Sequence, residues 1–214
     1  MAERVKRKYD NSRRLAATRA TKAHVVEVAT ELFVDQGYPA TTISQIAQRS
    51  DTPEATLYRL FGSKRGVLKE VLDVAIGGDD KPIEYEHRPE VQAAFAAGDP
   101  GELLDAFAHL VRQVLHLSAA LQNVLLSSAG VDAEAAEMLA VTRRQRHTGQ
   151  SRIVRALVRS GHLRKGLAPA AAADIVHALM SPEVFHILTV ERGWSEARYE
   201  RWLADTLRAQ LLDG

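Results

Sequence analysis

Apolar residues recur every three or four positions through most of this chain, and no run alternates with the period of a strand. From about Thr18, the positions Val25, Val28-Ala29 and Leu32-Phe33 trace one helical face, and Gly37 is placed to end that helix. Two shorter helices joined by a tight turn are expected between Thr42 and Lys64. Thr42 and Gln45 have the spacing of a capping box, and Ile43, Ile46 and Ala47 share a face behind it. The pattern breaks at Arg49-Ser50-Asp51. Thr52-Pro53 restarts it, with Thr52 as N-cap and Pro53 at the first helical position, where its missing N–H costs nothing. Leu57 and Phe61 are four apart and make the apolar side of the second helix. Its other side carries Glu54, Ala55, Thr56, Tyr58 and Arg59. Gly62 breaks this helix, and Ser63 caps the next, whose stripe is Val67-Leu68, Val71-Leu72 and Ala75-Ile76 up to Gly77-Gly78.

Residues 79–90 hold two prolines and seven charged side chains and read as a linker. A short helix around 90–97 follows. Asp99-Pro100 opens a helix through Leu103-Leu104, Phe107, Leu110-Val111, Val114 and Leu117, and a separate short helix is expected at 120–129. Asp132 caps a long helix to about Ser160, with Gly149 as a weak point and Gly161 as the stop. Pro169 opens another, which Ser181-Pro182 kinks or restarts and which runs on to Gly193. Ser195 caps the last helix, with the stripe Tyr199, Trp202-Leu203, Leu207 and Leu211. The fold class is therefore all-α. The expected divisions are a flexible basic arm at 1–17, a three-helix unit at 18–62, a connecting helix at 63–78, and a larger helical domain at 79–214.

Composition narrows the classes. Hydrophobic residues make up 46% of the 214 positions, enough for a substantial core. No cysteine is present, which excludes disulfides and thiol catalysis. No stretch of eighteen or more apolar residues and no signal-peptide core is visible, so a cytoplasmic protein without a membrane partner is expected. The net charge of +1 conceals an asymmetry. Residues 1–22 carry eight Lys/Arg against Glu3 and Asp10, leaving 20 basic against 25 acidic residues in the remainder. Such an arm fits a polyanionic partner or a solvated tail.

Two helices joined by a short turn form either an ordinary helical hairpin or a helix-turn-helix, which lays its second helix in the DNA major groove. A hairpin would make this an all-helical interaction or adaptor protein without specific DNA binding. The particular residues favour DNA. Ala29, Leu32-Phe33, Gly37-Tyr38, Thr41-Thr42-Ile43, Ile46-Ala47, Thr56-Leu57-Tyr58, Phe61 and Ser63-Lys64 together resemble the DNA-binding domain of TetR-family transcriptional regulators, over roughly Thr18 to Leu72. Ser50-Asp51-Thr52-Pro53 departs from the family's usual Ala-Gly-Val-Ser turn, although Asp tolerates the left-handed backbone that the Gly position needs. Leu60 stands where the family often has His or Tyr.

The resemblance implies a bacterial, homodimeric regulator, most simply a repressor, that binds a pseudo-palindromic operator in double-stranded DNA and is released by a small-molecule effector. It implies an N-terminal helix-turn-helix DNA-binding domain and a larger helical ligand-binding and dimerisation domain. On this reading Thr42, Thr56, Tyr58 and Lys64 hold phosphates, while Pro53, Glu54, Ala55 and Arg59 face bases. Lys64 also lies near a helix N-terminus, where a bound phosphate would offset an unfavourable cation. The family's paired terminal helices point to Ile175, Leu179, Phe185, Leu203, Leu207 and Leu211 as dimer contacts. Its internal pocket points to His109, Arg112, His116, Gln122, Asn123 and His147 as polar anchors in an apolar lining. His109 and His116 are seven apart and share a face, which is either the wet side of their helix or a cavity wall. No metal site is expected, since neither HxxxH nor HExxH occurs. No nucleophile motif, GxGxxG or Walker loop is present, so neither a cofactor nor enzymatic catalysis is expected.

Overall fold

The computed structural model describes residues 2–78, 87–96 and 98–213, with side chains from Ser12 onward. The elements are α1 (Ala2–Gln36), α2 (Ile43–Arg49), α3 (Glu54–Phe61), α4 (Lys64–Gly77), α5 (Pro89–Phe95), α6 (Pro100–Ser128), α7 (Ala133–Arg159), α8 (Pro169–Leu179) and α9 (Pro182–His186). A π-helical turn (Ile187–Glu191) and α10 (Glu196–Leu211) complete the chain. No strand occurs among the described residues. The chain divides into two compact units, Met1–Val74 and Ala75–Gly214, and the division falls inside α4. The linker expected at 79–90 lies outside the described residues up to position 86.

In the first unit α1 packs on α2, and α2 on α3. Val25, Ala29, Phe33, Tyr38, Ile46, Leu57, Val67 and Leu68 are fully or almost fully buried. Each of the Val, Leu, Ile and Phe side chains among them contributes roughly 1.5–3 kcal/mol by leaving water. Phe33 and Tyr38 meet with ring centroids 5.6 Å apart. Helix α1 begins at Ala2, well upstream of the start expected at Thr18. Residues 2–17 contain neither Gly nor Pro, so nothing local stops the helix from extending toward the N-terminus.

The second unit is a helical bundle. Leu104, Phe107, Leu115, Ile153, Leu157, Val176, Phe185, Tyr199, Leu203, Leu207 and Leu211 form one core contributed by α6, α7, α8, α9 and α10. Asp99, Asp132, Ser181 and Ser195 each accept a backbone N–H at the start of their helix, as the sequence anticipates for Asp132 and Ser195. The helix expected to break after Leu117 does not break: α6 runs unbroken from Pro100 to Ser128. Ser118 donates its hydroxyl back to the Val114 carbonyl at 2.8 Å and accepts Gln122 Nε2 at 2.9 Å, so its polar group is satisfied within the helix. Likewise α7 passes through Gly149 and ends at Arg159, with Ser160 as its C-cap and Gly161 turning left-handed just beyond at φ 74°.

The burial of α10 corrects the expected dimer contacts. Leu203, Leu207 and Leu211 are 0% exposed and Phe185 is 6% exposed within a single chain. Side chains already removed from water by their own chain have nothing left to bury against a partner. Ile175 and Leu179 are half-buried and keep some accessible surface.

Candidate nucleic-acid interface

The turn between α2 and α3 is built by local chemistry. Thr42 accepts the Gln45 N–H at 3.2 Å, and the Gln45 side chain accepts the Thr42 N–H at 2.8 Å, closing the anticipated capping box. Ser50 ends α2 by donating its N–H to the Ile46 carbonyl at 2.9 Å. Asp51 then turns left-handed at φ 47°, the one described residue other than glycine to do so. The chain's path corrects one expectation. Pro53, not Thr52, occupies the N-cap position of α3, and it supplies no side-chain cap. Thr52 is buried and spends its hydroxyl on the Ser50 carbonyl at 3.1 Å. That bond stiffens the turn itself instead of the helix start.

Asp51→Gly should raise the stability of this unit by roughly 0.5–1 kcal/mol, because glycine takes a positive φ without the Cβ penalty. Asp51→Val should lower it by about 1–2 kcal/mol. Thermal unfolding of the two variants would show this opposite ordering.

Leu57 turns inward and is fully buried, and this orients the rest of α3. Pro53, Glu54, Ala55, Tyr58 and Arg59 are exposed, Thr56 is half-buried, and Thr42 is exposed at the head of α2. Tyr58 leaves about half of its surface in solvent (52%), much for an aromatic residue on a well-ordered helix. The second helix therefore presents one exposed face, held by Leu57 behind it.

Lys64 is less free than its sequence position suggests. Its ammonium donates to the Tyr38 carbonyl at 3.0 Å and sits 4.2 Å from the centre of the Tyr38 ring. It fastens the Gly37-Tyr38 turn to the start of α4. An ammonium has three donors, so two remain beyond the one used here. Gly62, at φ 77°, ends α3 by donating to the Tyr58 carbonyl, and the Ser63 hydroxyl then accepts the Gly66 N–H at 3.1 Å.

Sequence reading missed Gly66. A Cβ there would overlap the Phe61 carbonyl oxygen and come within 2.9 Å of the carbonyl carbon. The last residue of α3 thus rests directly on the first turn of α4. A glycine inside an otherwise helical apolar stripe is the signal that pointed to such an approach.

The six expected pocket residues do not converge. His109, Arg112 and His116 face α10. His109 Nδ1 donates to Glu200 at 3.1 Å, Arg112 Nε to Glu200 at 2.5 Å, Arg112 Nη1 to Glu196 at 3.3 Å, and His116 Nδ1 to Glu196 at 2.6 Å. These residues form an ion-pair ladder on the outside of two packed helices and do not line a cavity. Gln122 is buried against Ser118, Asn123 is half-buried, and His147 lies 3.6 Å from Asp174 with its ring against His177. A cavity of about 420 Å³ does open between α7 and α8, lined by Val154, Arg155, Val158, Pro169 and Ala173 among others, and none of the six reaches it.

Burial would raise the Glu200 carboxyl, but hydrogen bonds from Arg112 and His109 outweigh it and hold the group below its ordinary range. A depressed carboxylate contributes stability that is complete above its unfolded pKa and is lost as pH falls through the folded value. Acid unfolding should therefore begin at higher pH in Glu200→Gln than in the wild type, with the two curves converging at the acid end where both side chains are neutral. Circular dichroism across an acid titration reads this directly.

A second polar group lies inside the same unit. Gln150 and Arg146 of α7 reach His177 of α8 at 2.8 and 3.3 Å, and Arg143 reaches Glu183 of α9 at 2.9 Å. Burial and the neighbouring Arg146 hold His177 below its usual value, which keeps it neutral and able to accept from Arg146. Tyr199, fully buried beside them, has its phenol pushed up by burial.

Residues 25–71 match the family described as bacterial regulatory proteins, tetR family. That span runs from the buried face of α1, through the capping box, the Asp51 turn and Gly66, to Val71. The match is to this N-terminal region of the chain. Over 54 residues it is 37% identical to the uncharacterized HTH-type transcriptional regulator YvkB of Bacillus subtilis (strain 168), a match covering 25% of this chain and 29% of that protein. The chain thus spans under a third of that curated relative. Solved structures share the fold over far more of its length. NalD, the secondary repressor of the MexAB-OprM multidrug efflux pump in Pseudomonas aeruginosa, superposes with a TM-score of 0.70 at 19% identity, over 92% of this chain and 97% of that one. SmeT in complex with triclosan superposes with a TM-score of 0.68 at 18% identity, over 91% and 92%. At such identities the likeness speaks to fold. No helix among the described residues is long and apolar enough to cross a membrane.

Proposed function

We propose that this chain is a sequence-specific transcriptional regulator, most simply a repressor, that works in the bacterial cytoplasm as a homodimer on a pseudo-palindromic operator. The observation that carries the reading is the exposed face of α3, held out by a buried Leu57 and set by a left-handed Asp51 turn within a tetR-type domain. Thr42, Thr56, Tyr58 and Lys64 hold phosphates, and Pro53, Glu54, Ala55 and Arg59 face base edges. The anchoring of Lys64 on Tyr38 fits this role, because a pre-positioned ammonium loses little freedom when it meets a phosphate.

A small-molecule effector in the helical body completes the reading. The α7–α8 cavity and the solved complex of SmeT with triclosan support it. Such a ligand acts only through its preference for the conformation that does not bind DNA. Ile175 and Leu179, with the exposed Ile187 and Val190, are among the apolar positions left for a second copy.

The division of labour on α3 is testable by substitution. Lys64→Ala should weaken binding alike on all DNA sequences and flatten the salt slope by about one. Glu54→Ala and Arg59→Ala should instead change the preferred bases, with losses of roughly 1–3 kcal/mol confined to the best site. A changed preference in Lys64→Ala would reverse the assignment.

A further inference from the structure

From Met138 to Ala173 the chain holds eight Lys/Arg and no Asp or Glu, although beyond residue 22 it carries more acids than bases overall. Several of these cations are engaged. Arg143 and Arg146 of α7 pair with Glu183, Arg152 lies 6.0 Å from the centre of the Phe95 ring, and Arg164 donates to the Ala209 carbonyl at 3.4 Å. Arg155 and Arg159 are exposed, and neither has a hydrogen bond or ion pair to any described residue. They stand one turn apart on α7, where two like charges repel and weaken the helix. An arginine stays ionised at any working pH, so neither can relieve this by losing its proton.

Both arginines line the cavity of about 420 Å³ between α7 and α8, a volume within the range of small-molecule sites. Its floor is apolar. Val154 of α7 and Ala173 of α8 are buried there, and Val158 and Pro169 flank them on the open side. No carboxylate belongs to the lining. Asp174, next to Ala173 in sequence, lies 3.6 Å from His147. A concave apolar floor beside two cations matches a molecule with one anionic head and a hydrocarbon body. An extended polyanion would suit a flat basic face instead.

We infer that the α7–α8 cavity binds a small organic carboxylate, with its anionic head between Arg155 and Arg159 and its hydrocarbon body over Val154, Val158, Pro169 and Ala173. The inference rests on the effector reading above and names the effector's chemical class. Binding removes two costs at once. The carboxylate offsets the repulsion between Arg155 and Arg159 through charge-assisted hydrogen bonds. The hydrocarbon covers Val158, which leaves 45% of its surface in solvent. A neutral molecule of the same shape gains only the second.

The test titrates the full chain with octanoate and with naphthoate by isothermal calorimetry, each against its neutral counterpart, octanol or naphthol. At least one carboxylate should bind about tenfold or more tighter than its neutral counterpart. A variant carrying Arg155→Gln and Arg159→Gln should lose that margin. Val158→Trp, which fills the cavity and keeps both charges, should lose binding altogether. A variant carrying Arg144→Gln and Lys165→Gln removes the same charge outside the cavity and should bind as the wild type does. All these positions are exposed, so thermal midpoints should stay close to the wild type. Binding of neither carboxylate, equal binding of carboxylate and neutral counterpart, or an equal loss in the two double variants would overturn the inference. Failure of the effector reading would look different: a carboxylate would bind and depend on Arg155 and Arg159, but bound duplex DNA would not be released.

Discussion

Gly66→Ala is expected to cost the DNA-binding unit about 3 kcal/mol and to abolish operator binding, although the residue touches no DNA group in this account. The added Cβ meets the Phe61 carbonyl, which is backbone and cannot rotate away as a side chain would. Relief requires α3 and α4 to separate at their junction. The same junction holds the Gly62 turn, the Ser63 cap and the Lys64–Tyr38 clasp, so a shift there tilts α3 away from the position Leu57 holds. Misplacing contacts by an ångström is enough to lose them. Chemical denaturation and DNA titration of Gly66→Ala, with Gly130→Ala as a control where a Cβ meets nothing within 4 Å, would measure both effects. Equal stability and affinity in the two variants would show that α3 and α4 accommodate the overlap.

Leu207→Ala is the second large effect. The side chain is fully buried with Tyr199, Leu203 and Leu211 in the core of the helical unit. Truncation should destabilise that unit by roughly 2–5 kcal/mol, through lost burial and the cavity left behind. Core and interface roles separate by concentration. If Leu207 serves the core, the wild-type-to-variant difference in unfolding free energy stays the same as protein concentration changes. If it served a dimer contact, the difference would shrink as dilution separates the dimers.

These two residues mark where sequence stops being sufficient. The stripe Tyr199, Leu203, Leu207 and Leu211 was plain from its spacing, but spacing reports only that a face is covered. Whether α6 and α8 or a second copy covers it depends on packing between segments far apart in the chain. His109, Arg112 and His116 show the same limit. Their shared face was legible, yet the carboxylates that engage them, Glu196 and Glu200, lie 80 to 91 residues away in sequence. The Ser118 region was misjudged because periodicity does not reveal a hydroxyl satisfied four residues back.

Local chemistry fared better. The Thr42–Gln45 box, the left-handed Asp51, the Gly62 break and the caps at Asp132 and Ser195 each involve partners within five residues. Such interactions are written in the sequence almost as directly as they are seen in space. Thr52 is the exception. A threonine before a proline has two uses for its hydroxyl, and here the turn takes it in preference to the helix.

Whether α3 reads a DNA sequence is tested most directly by selecting bound duplexes from a random library with the purified full-length protein, at moderate salt and with excess competitor DNA. If α3 reads base edges, a pseudo-palindrome whose half-sites lie about one helical turn apart or more is enriched, with the preferred bases altered by Glu54→Ala or Arg59→Ala. A library recovered without any enriched sequence, or one whose preference is untouched by changes on α3, would contradict it.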